Sequence, residues 1–415
     1  MSSEPDKRRW RWLIPALALL LLAALVFWWR AGPVAHSRPT VESASSSAHG
    51  FFDALAVRLP PPGNAPIASR AQQRKQILDT LQLATDTYCG YRQATRYPPG
   101  SANAGEAPDL MFPGQSVLDQ HPLQLDGGGS DARVQIQTSQ SRIYLAAGET
   151  AVLSLRALDA DGAVLPLTIQ RALAEGLRFQ GQRPAPQVAL AFADDGKGAD
   201  AVADDGAWSA AFAPAQTALA GFNGTIRVEL RFHAGGKNGV VFFDLQYSPE
   251  VPAVWNGPAR ETLDNGSLVY VLKAEVRQAG RYIVTGRVDD ARGVPLALAT
   301  FNDVLATGPA EVRLTVFGKL LRDRAPAMPL TLRDVEGYLL KENSDPDRAL
   351  MPRLDGRVVT GKAYSGRSFS DAEWAGEERS RYLAEFGRDL QAARAAAMAV
   401  DPSLVLPADP CADTP

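Results

Sequence analysis

The densest chemical feature of the chain is the stretch DDGKGADAVADDGAW, residues 194–208. It gathers Asp194, Asp195, Asp200, Asp204 and Asp205, and carboxylates this close repel one another unless a cation or solvent intervenes. Gly196 and Gly206 permit tight turns between them. Hard oxygen ligands at such density suit Ca²⁺, the one cofactor the sequence suggests. The spacing departs from the EF-hand loop, and that loop's closing Glu is missing. Two readings stand: a weak Ca²⁺ site built from those five aspartates, or two Asp-Gly turns joined by a solvated loop, with Trp208 capping a core.

Other reactive constellations are absent. His36, His49, His121 and His233 are scattered, and no HExxH pair occurs, which argues against a zincin. No GxSxG elbow is present. GGKNG at residues 235–239 contains Gly and Lys but reads as a hairpin tip, not a phosphate loop. Asn223-Gly224 and Asn265-Gly266 likewise read as turns. No catalytic residue is assigned. A carboxylate pair of glycosidase type stays open, because Asp and Glu are spread throughout the chain.

Compartment is set by Trp12–Trp29, an uncharged apolar run about eighteen residues long, the minimum for a spanning helix. Lys7, Arg8, Arg9 and Arg11 precede it and only Arg30 closely follows, which places the N-terminus in the cytoplasm. Trp10, Trp12, Trp28 and Trp29 match aromatic belts at headgroup level. Pro15 falls in the first turn, where its missing N–H breaks no bond. A cleaved signal peptide fits less well, since the run is long and Pro33 disfavours the nearest cut, at Ala35. The chain is thus expected to be a single-pass inner-membrane protein with a periplasmic ectodomain. The net charge is −3, and the stub's net +2 leaves the exported part near −5. That excludes a basic nucleic-acid-binding field. In an oxidising space Cys89 and Cys411 are expected to pair, as neither has a CxxC partner or a nearby His. Closing so long a loop could contribute on the order of 4–5 kcal/mol.

The 415 residues leave room for two domains beyond the anchor. The expected order is a cytoplasmic stub at 1–11, the anchor at 12–29 and a flexible stalk at 30–69. A helix and an irregular Pro/Gly-rich segment occupy 70–130. A β-sandwich at 131–250, a second at 251–365, a helix at 366–400 and a tail at 401–415 complete it. Ile77, Leu78, Leu81 and Ala84 recur at helical spacing, so a helix is predicted from Arg70 to about Thr87, ending near Cys89 and Gly90. GGGSD at 127–131 looks like a linker. Beyond it, Val134/Ile136 and Leu153/Leu155 alternate as half-buried strands do, and about eight short strands fit an immunoglobulin-like antiparallel sandwich. A second set follows, where Tyr282/Val284/Gly286/Val288 alternate against Ile283/Thr285/Arg287. Its turn Asp289–Gly293 parallels Asp159–Gly162 in the first set. The segment ending FGKLL reads as a further strand. A long helix is predicted from about Asp371 to Met398, with Trp374, Tyr382, Phe386 and Leu390 packing it onto the chain's own sandwich. The fold class is therefore mainly β, with two tandem immunoglobulin-like sandwiches and flanking helices.

The DDG-x₃-D-x₃-DDG-x-W loop, together with GRYIVTGRVDDARGVPLALATFN and FGKLL, resembles the exported bacterial proteins grouped as choice-of-anchor X. The likeness spans about residues 130–365. It implies β-sandwich domains placed in the cell envelope and supplies no catalytic residue.

Three functional readings follow. The first is a membrane-tethered, non-enzymatic module whose sandwiches bind a protein or glycan partner. The second is an envelope hydrolase acting on glycan or peptidoglycan through a carboxylate pair. The third is a chaperone-like secretion accessory that docks partners on its C-terminal helix.

Overall fold

A computed structural model describes residues 70–178 and 186–412. The Trp12–Trp29 run and the 30–69 stalk lie outside the described residues. Among the described residues, no helix is long and apolar enough to cross a membrane. In chain order the elements open with α1 (Arg70–Ala94), β1 (Ser101–Asn103), β2 (Val117–Gln124), β3 (Ser130–Gln140) and β4 (Tyr144–Ala146). Next come β5 (Ala151–Asp159), β6 (Val164–Leu165), β7 (Leu167–Gly176), β8 (Gln187–Ala189), β9 (Trp208–Phe212), β10 (Gly224–Ala234) and β11 (Lys237–Ser248). They continue with β12 (Ala253–Trp255), β13 (Arg260–Asp264), β14 (Ser267–Val276), β15 (Gly280–Asp289), β16 (Pro295–Leu305) and β17 (Gly308–Val316). The last are α2 (Gly318–Arg324), β18 (Thr331–Leu340), β19 (Arg348–Leu350), β20 (Leu354–Thr360) and α3 (Glu377–Val400).

Period-two alternation builds the first sandwich. In β10, Ile226, Val228, Leu230 and Phe232 are fully buried, while Arg227, Glu229 and Arg231 point away from the core. The sheet β4-β11-β10-β7-β8 and the sheet β2-β3-β5-β6, with β9 also on β5, share one apolar core. Pairing is antiparallel except where β4 runs parallel to β11. The GGGSD stretch is not a linker: it turns the β2–β3 hairpin, with Gly128 and Gly129 at φ 93° and 83°.

The second sandwich sets β1-β16-β15-β18-β19, with β20 also on β18, against β14, which is flanked by β12 and β13 on one side and β17 on the other. Tyr270, Tyr282, Val284, Leu314 and Leu332 fill its core. The turn analogy holds in detail. Asp159 Oδ1 accepts from the Asp161 and Ala163 amides, and Asp290 Oδ1 accepts from those of Arg292 and Val294. The expected strand at FGKLL stops at Val316, because Gly318 opens α2 instead. A Cβ at Gly318 would collide with the Gly266 carbonyl, so only glycine fits that approach.

Both helices depart from their predicted bounds. α1 runs on through Cys89 and Gly90 to Ala94, because α3 covers its buried Ala84 and the tail's Cys411 bonds its buried Cys89. α3 begins at Glu377, leaving Trp374 outside the helix with its amide donating to the Arg96 carbonyl. α3 rests on α1 and not on a sandwich. Leu390 and Ala393 meet Ala84, while Tyr382 and Phe386 pack edge-on against Tyr91. The Cys89–Cys411 disulfide fastens the C-terminal tail to α1.

The irregular segment after α1 straps the outer face of the second sandwich. Met111 is buried against Ala104 and Leu298, and the Leu110 and Met111 carbonyls accept from Arg287 and Arg333. That cover explains why Arg287, on the outward face of β15, is only 2% exposed.

Candidate functional site

Among the described residues, two places stand out for the side chains they bring together. In the loop between β8 and β9, Asp194, Asp200 and Asp205 place one carboxylate oxygen each within 4.8 Å of one another. Oxygens bound to one Ca²⁺ at about 2.3–2.6 Å lie no more than roughly 5 Å apart, so the spacing fits a shared cation. The same side chains also close the loop. Asp194 accepts from the Asp205 and Gly206 amides, and Asp200, 6% exposed, accepts from the Gly196 amide at 2.6 Å. Asp195 and Asp204 stand outside this trio. Asp195 caps its own turn through the Lys197 amide, and Asp204 occupies a left-handed turn position at φ 57°. Trp208 packs half-buried against the first core. The loop is thus both an Asp-turn assembly and a three-carboxylate cluster.

The second place is a pocket of about 270 Å³ where the two sandwiches meet. From the first sandwich come Tyr144 on β4 and Glu149 just after it. From the second come Thr285 on β15, Glu336 and Tyr338 on β18, and Arg348 and Arg353 on and after β19. Alternation along β18 decides which of its side chains face this seam. Arg348 spans the junction, its guanidinium 5.2 Å from the Tyr144 ring centre and 4.8 Å from that of Tyr338. Asp347 grips the other edge of Arg348, and this hydrogen-bonded pairing holds the Asp347 carboxyl below the usual carboxylate range.

Each glutamate in the pocket has a close partner. Glu149 accepts from Arg142 at 3.3 Å and from the Ala146 amide at 2.9 Å. Glu336 accepts from Arg287 at 2.7 Å. Arg353 stands between the two, 3.7 Å from Glu149 and 3.8 Å from Glu336, and donates at 3.3 Å to the Tyr144 carbonyl. Sequence reading did not find this pocket. Its tyrosines look like ordinary strand residues, and its charges lie on segments as far apart in sequence as Glu149 and Arg353. The only available signal was the placement of Arg and Glu on strands that otherwise alternate cleanly.

Of the cysteines and histidines, the structure joins Cys89 to Cys411, leaves His121 on the edge strand β2 and places His233 near the end of β10. GGKNG is the β10–β11 hairpin tip, as expected.

No family model matches the chain, and no curated protein is similar to it. Among solved structures, a DUF4785 family protein from Legionella pneumophila is similar at 11% identity and a TM-score of 0.36, over 55% of this chain and 57% of that one. The chain therefore spans little more than half the length of that neighbour. Fibronectin(III)-like modules of CbhA from Clostridium thermocellum are similar at 12% identity and a TM-score of 0.19, over 63% of this chain and the whole of that one.

Proposed function

We propose that this chain is a membrane-tethered envelope protein whose immunoglobulin-like sandwiches form a non-enzymatic binding module. The observation that carries this reading is the junction pocket, held in shape by the Arg348 clamp and lined by acidic and basic side chains with partners of their own. A preformed cleft of this kind is what a binding module needs. The Cys89–Cys411 disulfide supports an oxidising compartment, and the Trp12–Trp29 run supports the tether. A reporter fused to the C-terminus is expected to be active only outside the cytosol, and crosslinking from intact envelopes is expected to retrieve a partner. Reporter activity confined to the cytosol would overturn the placement.

Glu149 and Glu336 in one pocket favour a second reading, a glycan hydrolase. Both carboxylates are bound by arginines, unlike the acid and nucleophile pair of that chemistry. Incubation with peptidoglycan is therefore expected to release no reducing ends. Release that is lost in both Glu149→Gln and Glu336→Gln would establish the hydrolase instead.

Within the binding-module reading, Asp194, Asp200 and Asp205 are the ligands of a weak Ca²⁺ point that pins the first sandwich's loop, supported by the 4.8 Å clustering of their oxygens. Calorimetric titration after chelation is expected to give a saturable Ca²⁺ heat that Asp194→Asn abolishes. A flat trace with the unaltered chain would leave the aspartates as turn formers only.

A further inference from the structure

We infer that the pocket between the sandwiches is a carbohydrate site that takes one uncharged sugar ring, a proposal that rests on the binding-module reading and names its ligand class. The charge pattern speaks first. Glu149 is matched by Arg142, Glu336 by Arg287, and Arg348 by Asp347. A phosphate or carboxylate ligand would lie against the Glu149 and Glu336 carboxylates, and a cation against the Arg348 and Arg353 guanidinium groups, so either meets like charge in the lining. A neutral ligand meets no such repulsion.

Hydrogen-bonding capacity remains where charge does not. Arg353 meets both glutamates beyond hydrogen-bonding length, and among the described residues its one hydrogen bond is the 3.3 Å contact to the Tyr144 carbonyl. With five N–H donors on a guanidinium, most of its capacity is unspent. Thr285, Tyr144 and Tyr338 also line the pocket, and each carries a hydroxyl able to donate and accept. The lining therefore offers both donors and acceptors in a space only about 270 Å³ in volume, near the lower end of ligand cavities (~300 Å³).

The remaining wall is apolar. Leu110 and Met351 line it beside the two tyrosine rings. A sugar ring presents that combination in reverse, with hydroxyls around its edge and a C–H surface on its face. Purely apolar ligands would strand Arg353 and the hydroxyls without partners. The Arg348 clamp fixes the gap between Tyr144 and Tyr338, so little ordering is required on binding.

The full chain, held in a sugar-free zwitterionic detergent, tests this by saturation-transfer NMR and calorimetry. The probes are chitotriose, maltotriose and mannotriose, with inorganic phosphate as the charged comparison. At least one trisaccharide is expected to saturate with a Kd on the order of 1 mM or tighter, while phosphate neither binds nor competes. Thr285→Val, which removes one hydroxyl and keeps the side chain's shape, is expected to weaken that binding several-fold with an unchanged melting temperature. Arg353→Lys is expected to weaken it about tenfold, through the loss of charge-assisted bonds. No transfer to any trisaccharide, phosphate competition, or binding indifferent to both variants would overturn the proposal. A crosslinked protein partner retained by both variants while the sugars fail would sink this site and leave the binding module standing.

Discussion

Tyr282 is fully buried in the second core, and its one hydroxyl proton is shared between the Gln278 carbonyl at 2.7 Å and the Pro252 carbonyl at 3.0 Å. Burial pushes its pKa from 10.0 up to about 12. The folded chain therefore keeps this proton at pH values where the unfolded chain has lost it. Stability from Tyr282 is whole below pH 10 and drains away as pH rises toward 12. That rise corresponds to about 2–3 kcal/mol. Tyr270, buried beside Glu261, shifts in the same direction and adds to the alkaline loss. Tyr282→Phe is expected to cost about 1–2 kcal/mol at pH 7 and to show a shallower decline between pH 10 and 12 in urea unfolding. Equal alkaline slopes in the two proteins would refute the assignment. Tyr282 was legible as an inward residue from alternation alone. Its neighbour Arg287 was read onto the opposite face, and it does lie there, yet it is buried because a segment far away in sequence straps over it. Local pattern specifies a face, and only tertiary cover specifies what becomes of that face. The aspartate loop shows the same limit. Sequence counted five carboxylates, while turn geometry left three of them sharing a point.

Elements were readable where one face met a core. The strands with clean alternation emerged without ambiguity, and so did the paired Asp-Gly hairpin tips. β2 did not, because VLDQHPLQ is an edge strand with most of its residues exposed, and exposure removes the alternation that marks a strand. β1 spans Ser101–Asn103 and is recognisable only through its pairing with β16. The two long helices have weak stripes because small residues, Ala84 and Ala393, form much of their contact. Their association depends correspondingly on what holds their ends. Arg379, 7% exposed, ties the start of α3 to the end of α1 through the Thr95 hydroxyl and the Arg92 carbonyl, and the disulfide ties the tail after α3 to α1. Cys411→Ser is expected to destabilise this helix pair by about 2–5 kcal/mol. Hydrogen exchange should then quicken in α1 and α3 while the cores around Ile226 and Val284 keep their protection. Uniform acceleration throughout the chain would show that the bond supports the whole fold instead of this one corner.

At the scale of the molecule, the question is whether two sandwiches behave as one. Independent motion is the default for domains joined through a modest interface. Here the seam carries Arg348 between Tyr144 and Tyr338, Arg142 bonded to Asp355 at 2.7 Å, and Lys341 paired with Glu250 at 2.6 Å. Exposed pairs such as the last contribute little singly. Arg348 differs because it lies between two rings from opposite sides of the seam, each contact adding on the order of 0.5–1 kcal/mol. Arg348→Ala removes both contacts and leaves each sandwich's core untouched. Differential scanning calorimetry is expected to show one transition for the unaltered chain and two overlapping transitions for the variant, with total unfolding enthalpy conserved within about a tenth. Tyr338→Leu, which keeps the apolar bulk but loses the ring, should separate them to a similar degree. If the variant melts in a single transition that merely moves down in temperature, the coupling resides elsewhere, in the strap held by Arg287 and Arg333 or in the backbone connection itself. Because the same residue sets the pocket's width, loss of coupling and weaker ligand binding should appear together in Arg348→Ala, whereas Thr285→Val should weaken binding and leave the single transition intact.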